Sequence, residues 1–193
     1  MFNDIYEEIT GDIESEKEKY FIERTKKHIR KVQENAKKIV DVYPELDKLL
    51  DQVKIHDVSK LEEPEKTPYI GIIWRHKQDN FKSYKRPGTL SSEKENAATI
   101  HHITTNSHHP EYHLKDKSQA NISAKDRDKL DKCVNVSLMP DIDIAEMIAD
   151  WQAMSEELKK NTAREWFNEQ KDVRWHFSKH QEELIDKLLK VFE

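Results

Sequence analysis

The chain has 193 residues, of which 35% are apolar and 37% charged, with a net charge of −5. That length suffices for one domain with a real core, but no run approaches the ~18 apolar residues of a membrane span and no apolar signal stretch opens the sequence, so a cytoplasmic protein with no membrane partner is expected. The single cysteine, Cys133, excludes an internal disulfide and a thiolate zinc knuckle, and the acidic balance argues against duplex nucleic acid held by phosphate contacts.

Three glycines and six prolines favour long helices with short connections over hairpins, so the chain is expected to be an all-α helical bundle. Residues 1–13 form a short acidic lead-in of one or two helical turns. From Glu14 to Tyr43 there is no Gly or Pro, and Phe21, His28, Val32, Ala36, Ile39 and Val40 fall near one helical face. A second helix opens at Pro44, a residue suited to a first turn, and carries Leu46, Leu49, Leu50 and Val53. It delivers the doublet His56-Asp57 to its end, with Lys60 three positions on. An imidazole and a carboxylate buried together cost several kcal/mol unless each is paired or bound to a metal.

Glu62 to Pro68 is a charged corner. Beyond it Tyr69 and Trp74 are expected in the core and His76 at the surface. Residues 79–92 make the longest loop, after which Ser91 or Ser92 can cap a helix with Glu95 placed for a capping box. That helix carries His101 and His102, with Asn106 on the same face as His102, and Pro110 ends regular helix so that His108 and His109 stand at a junction facing one cleft. Five of the ten histidines lie between His101 and His113, too dense a group for an ordinary exposed loop. Residues 115–132 suit a mobile loop and a surface helix, and 133–139 is a brief apolar stretch. Pro140-Asp141 starts a strongly amphipathic helix with Ile144, Met147, Ile148, Trp151 and Met154. Glu146 and Asp150 stand four apart near its apolar side, where a carboxylate needs a partner and a metal is an economical one. Helices near 162–172 and 175–192 close the chain with Trp166, Phe167, Trp175, Phe177 and Leu188 as packing faces.

The order His28, His56-Asp57, a histidine group at 102–109 and Asp150 resembles the HD superfamily of metal-dependent phosphohydrolases. It is most similar to phage and bacterial HD-like proteins of unassigned function, through the segments His56-Asp57-Val58-Ser59-Lys60, Asn106-Ser107-His108-His109 and Met139-Pro140 to Ser155. The resemblance spans roughly 25 to 160. It implies one HD-type helical domain over 1–193, with a core at about 20–160 and packing helices at about 162–192. It implies His28, His56, Asp57 and Asp150 as ligands of a first metal, and His102, His108 and His109 as ligands of a second, with Asp57 bridging. One or two divalent transition metals per chain (Mn, Fe, Co, Ni or Zn) are therefore expected.

Imidazoles and carboxylates bind such ions, and water on them ionises near neutrality to become a nucleophile that needs no serine or cysteine. The implied activity is hydrolysis of a nucleotide or other small phosphate ester, with Asp57, Lys60 and His109 as catalytic candidates. Lys60 stands where some HD nucleotidases carry a glutamate, which suits contact with a phosphate oxygen better than proton transfer. Its structural alternative is an ion pair with Glu62, Glu63 or Glu146. Two other readings remain: a di-iron oxygenase on the same scaffold, and a non-catalytic metal- or partner-binding helical protein.

Overall fold

The structure, a computed structural model, describes residues 2–78, 93–120 and 133–193, with side chains from residue 15 onward. Helix α1 (Phe2–Val42) leads through a 3-10 turn at Pro44–Leu46 to the short α2 (Leu49–Gln52), followed by 3-10 turns at Val53–Ile55 and Val58–Leu61. Then come α3 (Lys66–Gln78), α4 (Glu93–Thr105) and a 3-10 turn at Pro110–His113. Strand β1 (Val134–Asn135), helices α5 (Asp141–Leu158) and α6 (Ala163–Gln170), strand β2 (Trp175–His176) and helix α7 (Lys179–Leu189) complete the order. The fold is an all-α bundle.

Phe21, Thr25, His28, Val32, Ala36 and Ile39 are all buried and recur every three or four residues, so one stripe of α1 faces inward. That stripe packs along α5, the most enclosed helix, whose Ile144, Ala145, Met147, Ile148 and Ala149 are essentially inaccessible. Helix α7 covers another side of α5, while α3 lies on α1 and α4 on α3. Trp151 stacks on Trp175 at 5.8 Å between ring centres, and Phe167 and Phe177 extend the aromatic layer. Burial of such rings contributes about 2–3 kcal/mol each relative to exposure.

Several local expectations change. Residues 2–13 continue α1 instead of forming a separate lead-in; Gly11 costs that helix only about 1 kcal/mol relative to Ala, too little to break it. The segment from Pro44 to the doublet is not one helix but a chain of short turns, with Leu49 and Val53 buried and Leu46 and Leu50 half-buried. Helix α3 has no fully buried side chain, so Tyr69 and Trp74 are half-buried instead of core. Regular helix ends at Thr105, five residues before Pro110, and the proline instead opens a 3-10 turn. The apolar stretch after Cys133 forms β1, which pairs in parallel with β2 as the one sheet among the described residues. Trp175 therefore belongs to a strand, and the last helix starts at Lys179 behind a Ser178–Gln181 capping box. The expected loop at 79–92, its Ser91 or Ser92 cap and most of the 115–132 segment lie outside the described residues.

Candidate metal centre

Four separate pieces of chain converge beside α5. The inward stripe of α1 supplies His28, the break after Ile55 supplies His56 and Asp57, α4 supplies His102, and the turn after it supplies both His108 and His109; α5 contributes Asp150. The break has a specific backbone cause. His56 is extended (φ −50°, ψ 128°) and Asp57 takes the left-handed conformation (φ 57°, ψ 10°), which reverses the chain and turns both side chains inward. Aspartate is among the few non-glycine residues that tolerate this conformation, and a β-branched residue there would be strained.

The ligand atoms form two groups that meet at Asp57. In the first, His28 Nε2 lies 2.9 Å from Asp150 Oδ1, and His56 Nε2 lies 3.8 Å from the same oxygen; Asp57 Oδ2 is 3.7 Å from both ring nitrogens. In the second, Asp57 Oδ1 is 3.2 Å from His102 Nε2 and 3.7 Å from His108 Nε2, while His102 and His109 bring their Nε2 atoms within 2.9 Å of each other. Two donors at ~2.1 Å from one ion and at right angles are about 3.0 Å apart, so these separations are those of ligand edges. His56 Nε2 and Asp57 Oδ1 are moreover buried with no hydrogen-bond partner. A buried polar atom left unpaired costs about 1–3 kcal/mol, and a cation held between the two groups would satisfy both. The residues fit a divalent metal.

Behind the histidines stands a layer of carboxylates. His28 Nδ1 donates to Glu157 Oε1 at 2.8 Å, His56 Nδ1 to Glu146 Oε1 at 2.8 Å, and His102 Nδ1 to Glu65 Oε2 at 2.8 Å. Each contact fixes the ring and turns Nε2 toward the centre, as outer partners of metal-binding histidines do. Glu65 is itself fully buried and also holds His101 Nδ1 at 2.8 Å and Ser59 Oγ at 3.1 Å.

The charges follow from this packing. Burial alone would lower the His28 imidazole, but its contacts with Asp150 and Glu157 prevail and raise it from 6.5 to about 9. Burial would raise Asp150, yet the His28 contact holds it well below the ordinary carboxylate range. Asp57 is likewise held low, because Lys60, His56 and His102 outweigh its burial. Burial and neighbouring histidines push His108 and His109 well below 6.5, which leaves both neutral at pH 7, the form that binds metals. Lys60 places Nζ 2.5 Å from Asp57 Oδ2 and is raised above the ordinary lysine range, since attraction to Asp57 overcomes burial. Its partner is thus Asp57, and not Glu62, Glu63 or Glu146.

A family model described as a family of unknown function, DUF5662, matches residues 17–191, which takes in all seven candidate ligands. The chain belongs to the DUF5662 family. No curated protein and no solved structure matches it.

In this DUF5662 chain the centre borders a cavity of about 740 Å³, lined in part by His28, Asp57, Lys60, His102, His109 and Asp150. Tyr69, Ile73, Ile100, Trp151 and Trp166 are among its walls. Tyr69 packs edge-on against His102 at 5.6 Å and lies under Lys60 at 5.4 Å, and His76, expected at the surface, also lines the cavity. Glu95 is gripped by Arg75 through two 2.7 Å hydrogen bonds. All seven candidate ligands come together, and both His108 and His109 face inward. Of the carboxylate layer, sequence reasoning singled out Glu146 and missed Glu157 and Glu65. Glu157 had a signal, since it follows Asp150 by two helical turns on the same face of α5. Glu65 had none, because it meets His102 across 37 positions.

Proposed function

We propose that this protein is a metal-dependent phosphohydrolase of the HD type, acting on a nucleotide or other small phosphate ester. The observation that carries the reading is the meeting of two histidine–carboxylate groups at Asp57 beside a cavity, with His56 Nε2 buried there and lacking a hydrogen-bond partner. His28, His56, Asp57 and Asp150 would hold one divalent ion (Mn, Fe, Co, Ni or Zn), and Asp57, His102, His108 and His109 a second. Such an ion supplies Lewis acidity toward a phosphoryl oxygen and lowers the pKa of water.

The chain's own groups do the rest. Lys60, cationic beside Asp57 and lining the cavity, would donate to a phosphate oxygen, which supports the reading. His109, which also lines the cavity, would contact the phosphate beside the second metal position. The cavity volume lies within the ~300–1,000 Å³ common for small-molecule sites. No helix among the described residues is long and apolar enough to cross a membrane, in keeping with a small-molecule enzyme of the cytoplasm.

The test is elemental analysis of the purified chain together with a hydrolysis screen over nucleotides and simple phosphate esters. Bound divalent metal with turnover supports the proposal. Bound iron with oxygen-dependent turnover would favour the oxygenase reading instead, and full metal occupancy without any turnover would favour a structural metal centre.

A further inference from the structure

Asp57 is the carboxylate that both ligand groups share in front of the rings. Behind the rings there is a second shared carboxylate. Glu146 projects from α5 and is 3% exposed. Its Oε1 accepts from His56 Nδ1 at 2.8 Å and lies 3.5 Å from His108 Nδ1. Its other oxygen, Oε2, accepts from Gln52 Nε2 at 2.7 Å, which leaves Oε1 turned to the two rings. His56 and His108 stand side by side, 4.2 Å between ring centres and inclined by 41°. Their Nδ1 atoms converge on Glu146, and their Nε2 atoms each reach within 3.7 Å of an Asp57 oxygen.

The two rings therefore span the gap between two carboxylates: toward the centre His56 groups with His28 and Asp150, and His108 with Asp57, His102 and His109, while behind it the two rings group with each other and Glu146. The other two outer carboxylates differ in this respect. Among the candidate ligands Glu157 contacts His28, in the first group, and Glu65 contacts His102, in the second.

We propose that Glu146 is a positioning residue that clamps one ligand of each half-site, so that the two metal positions are filled and lost together. The physical reason is mutual orientation. An ion on His56 Nε2 strengthens donation from Nδ1 to Glu146 and fixes that carboxylate, and a fixed carboxylate holds His108 in the rotamer and tautomer the neighbouring position needs. The inference rests on reading the cluster as a metal centre but not on hydrolysis, and it is read out by metal binding alone.

The test is a titration of the metal-free full chain with Co²⁺, followed by calorimetry and the visible absorption of the bound ion. The wild type is expected to take up two ions per chain in one steep transition. E146Q keeps the shape and removes the charge, and it should weaken both equivalents by about 10- to 100-fold, the loss usual for an outer partner of a metal-binding histidine. E157Q and E65Q each touch one half-site and leave Glu146 in place, so each should shift the single transition as a whole without splitting it. E146D, which keeps the charge but withdraws the oxygen from the rings, carries the same expectation as E146Q and replaces it if circular dichroism shows the amide variant unfolded. Weakening of a single equivalent in the Glu146 variants, or of neither, overturns the inference. So does a wild type that binds one ion only, or two in well-separated steps. A wild type that takes up no Co²⁺ is a different failure: it overturns the metal centre itself.

Discussion

Asp150→Asn isolates what one carboxylate does for the centre, because asparagine keeps the shape and can still accept a hydrogen bond. Asp150 Oδ1 lies 2.9 Å from His28 Nε2, and Glu157 holds the other nitrogen of that ring at 2.8 Å. Together they raise His28 from 6.5 to about 9, which corresponds to about 3 kcal/mol in favour of the charged ring. Asp150 acts on the ring through both a hydrogen bond and its charge, so its removal should forfeit the larger share, about 2 kcal/mol in the metal-free protein, and lower Tm by about 4–8 °C for a chain of this size. A histidine raised on folding contributes stability that is complete below pH 6.5 and lost as pH rises through about 9. The depressed Asp150 carboxyl sets the lower edge, losing its contribution as pH falls below its ordinary value of 3.8. The deficit of the variant should accordingly be full at pH 6 and small at pH 10.

With metal present the contrast should widen. A ligand at a hundredfold excess over its Kd stabilises the folded state by about 2.7 kcal/mol, or about 5–10 °C here, and a chelator removes that gain. Asp150→Asn, a poor metal ligand, should show little response to chelator and no hydrolysis. Scanning calorimetry at pH 6, 7 and 10, with and without chelator, reads all of this. If wild type and variant respond alike to chelator, Asp150 is not a ligand and the HD reading loses its closing residue.

Three further outcomes are expected. Lys60→Met should cut turnover by about 100- to 1000-fold if Lys60 stabilises charge on a bound phosphate, and a stability loss with unchanged turnover would leave it as the counter-ion of Asp57 alone. His108→Ala with His109→Ala should lower metal stoichiometry while circular dichroism stays native, and full stoichiometry with full activity would remove both from the centre. Because His28 carries a proton up to about pH 9 in the metal-free chain, metal uptake at pH 7 should release it, with affinity rising up to about tenfold per pH unit and levelling off above pH 9. Calorimetry in buffers of different ionisation enthalpy would detect that proton, and affinity independent of pH between 7 and 9 would contradict it.

The two long helices that frame the site were legible in the sequence because amphipathic spacing is a local property of backbone geometry, whereas the helix expected from Pro44 to the doublet is a chain of short turns. The stripe of α1 and the buried face of α5 can be read from residues three and four apart. The resemblance of their order to the HD pattern brought forward the seven candidate ligands, and imidazoles and carboxylates on apolar faces need a partner in any case. Neither source could reach contacts fixed by packing. His28 meets Glu157 across 129 positions, and β1 finds its partner strand only after α5 and α6 have intervened. The left-handed turn at Asp57 left no mark beyond the residue itself, yet it decides that Asp57 faces both ligand groups and that Lys60 pairs with it. Sequence periodicity carries the direction a side chain takes from its own helix. Whether one or both of two adjacent histidines turn inward, and which carboxylate stands behind each ring, depends on where other helices come to rest, and only tertiary structure holds that information.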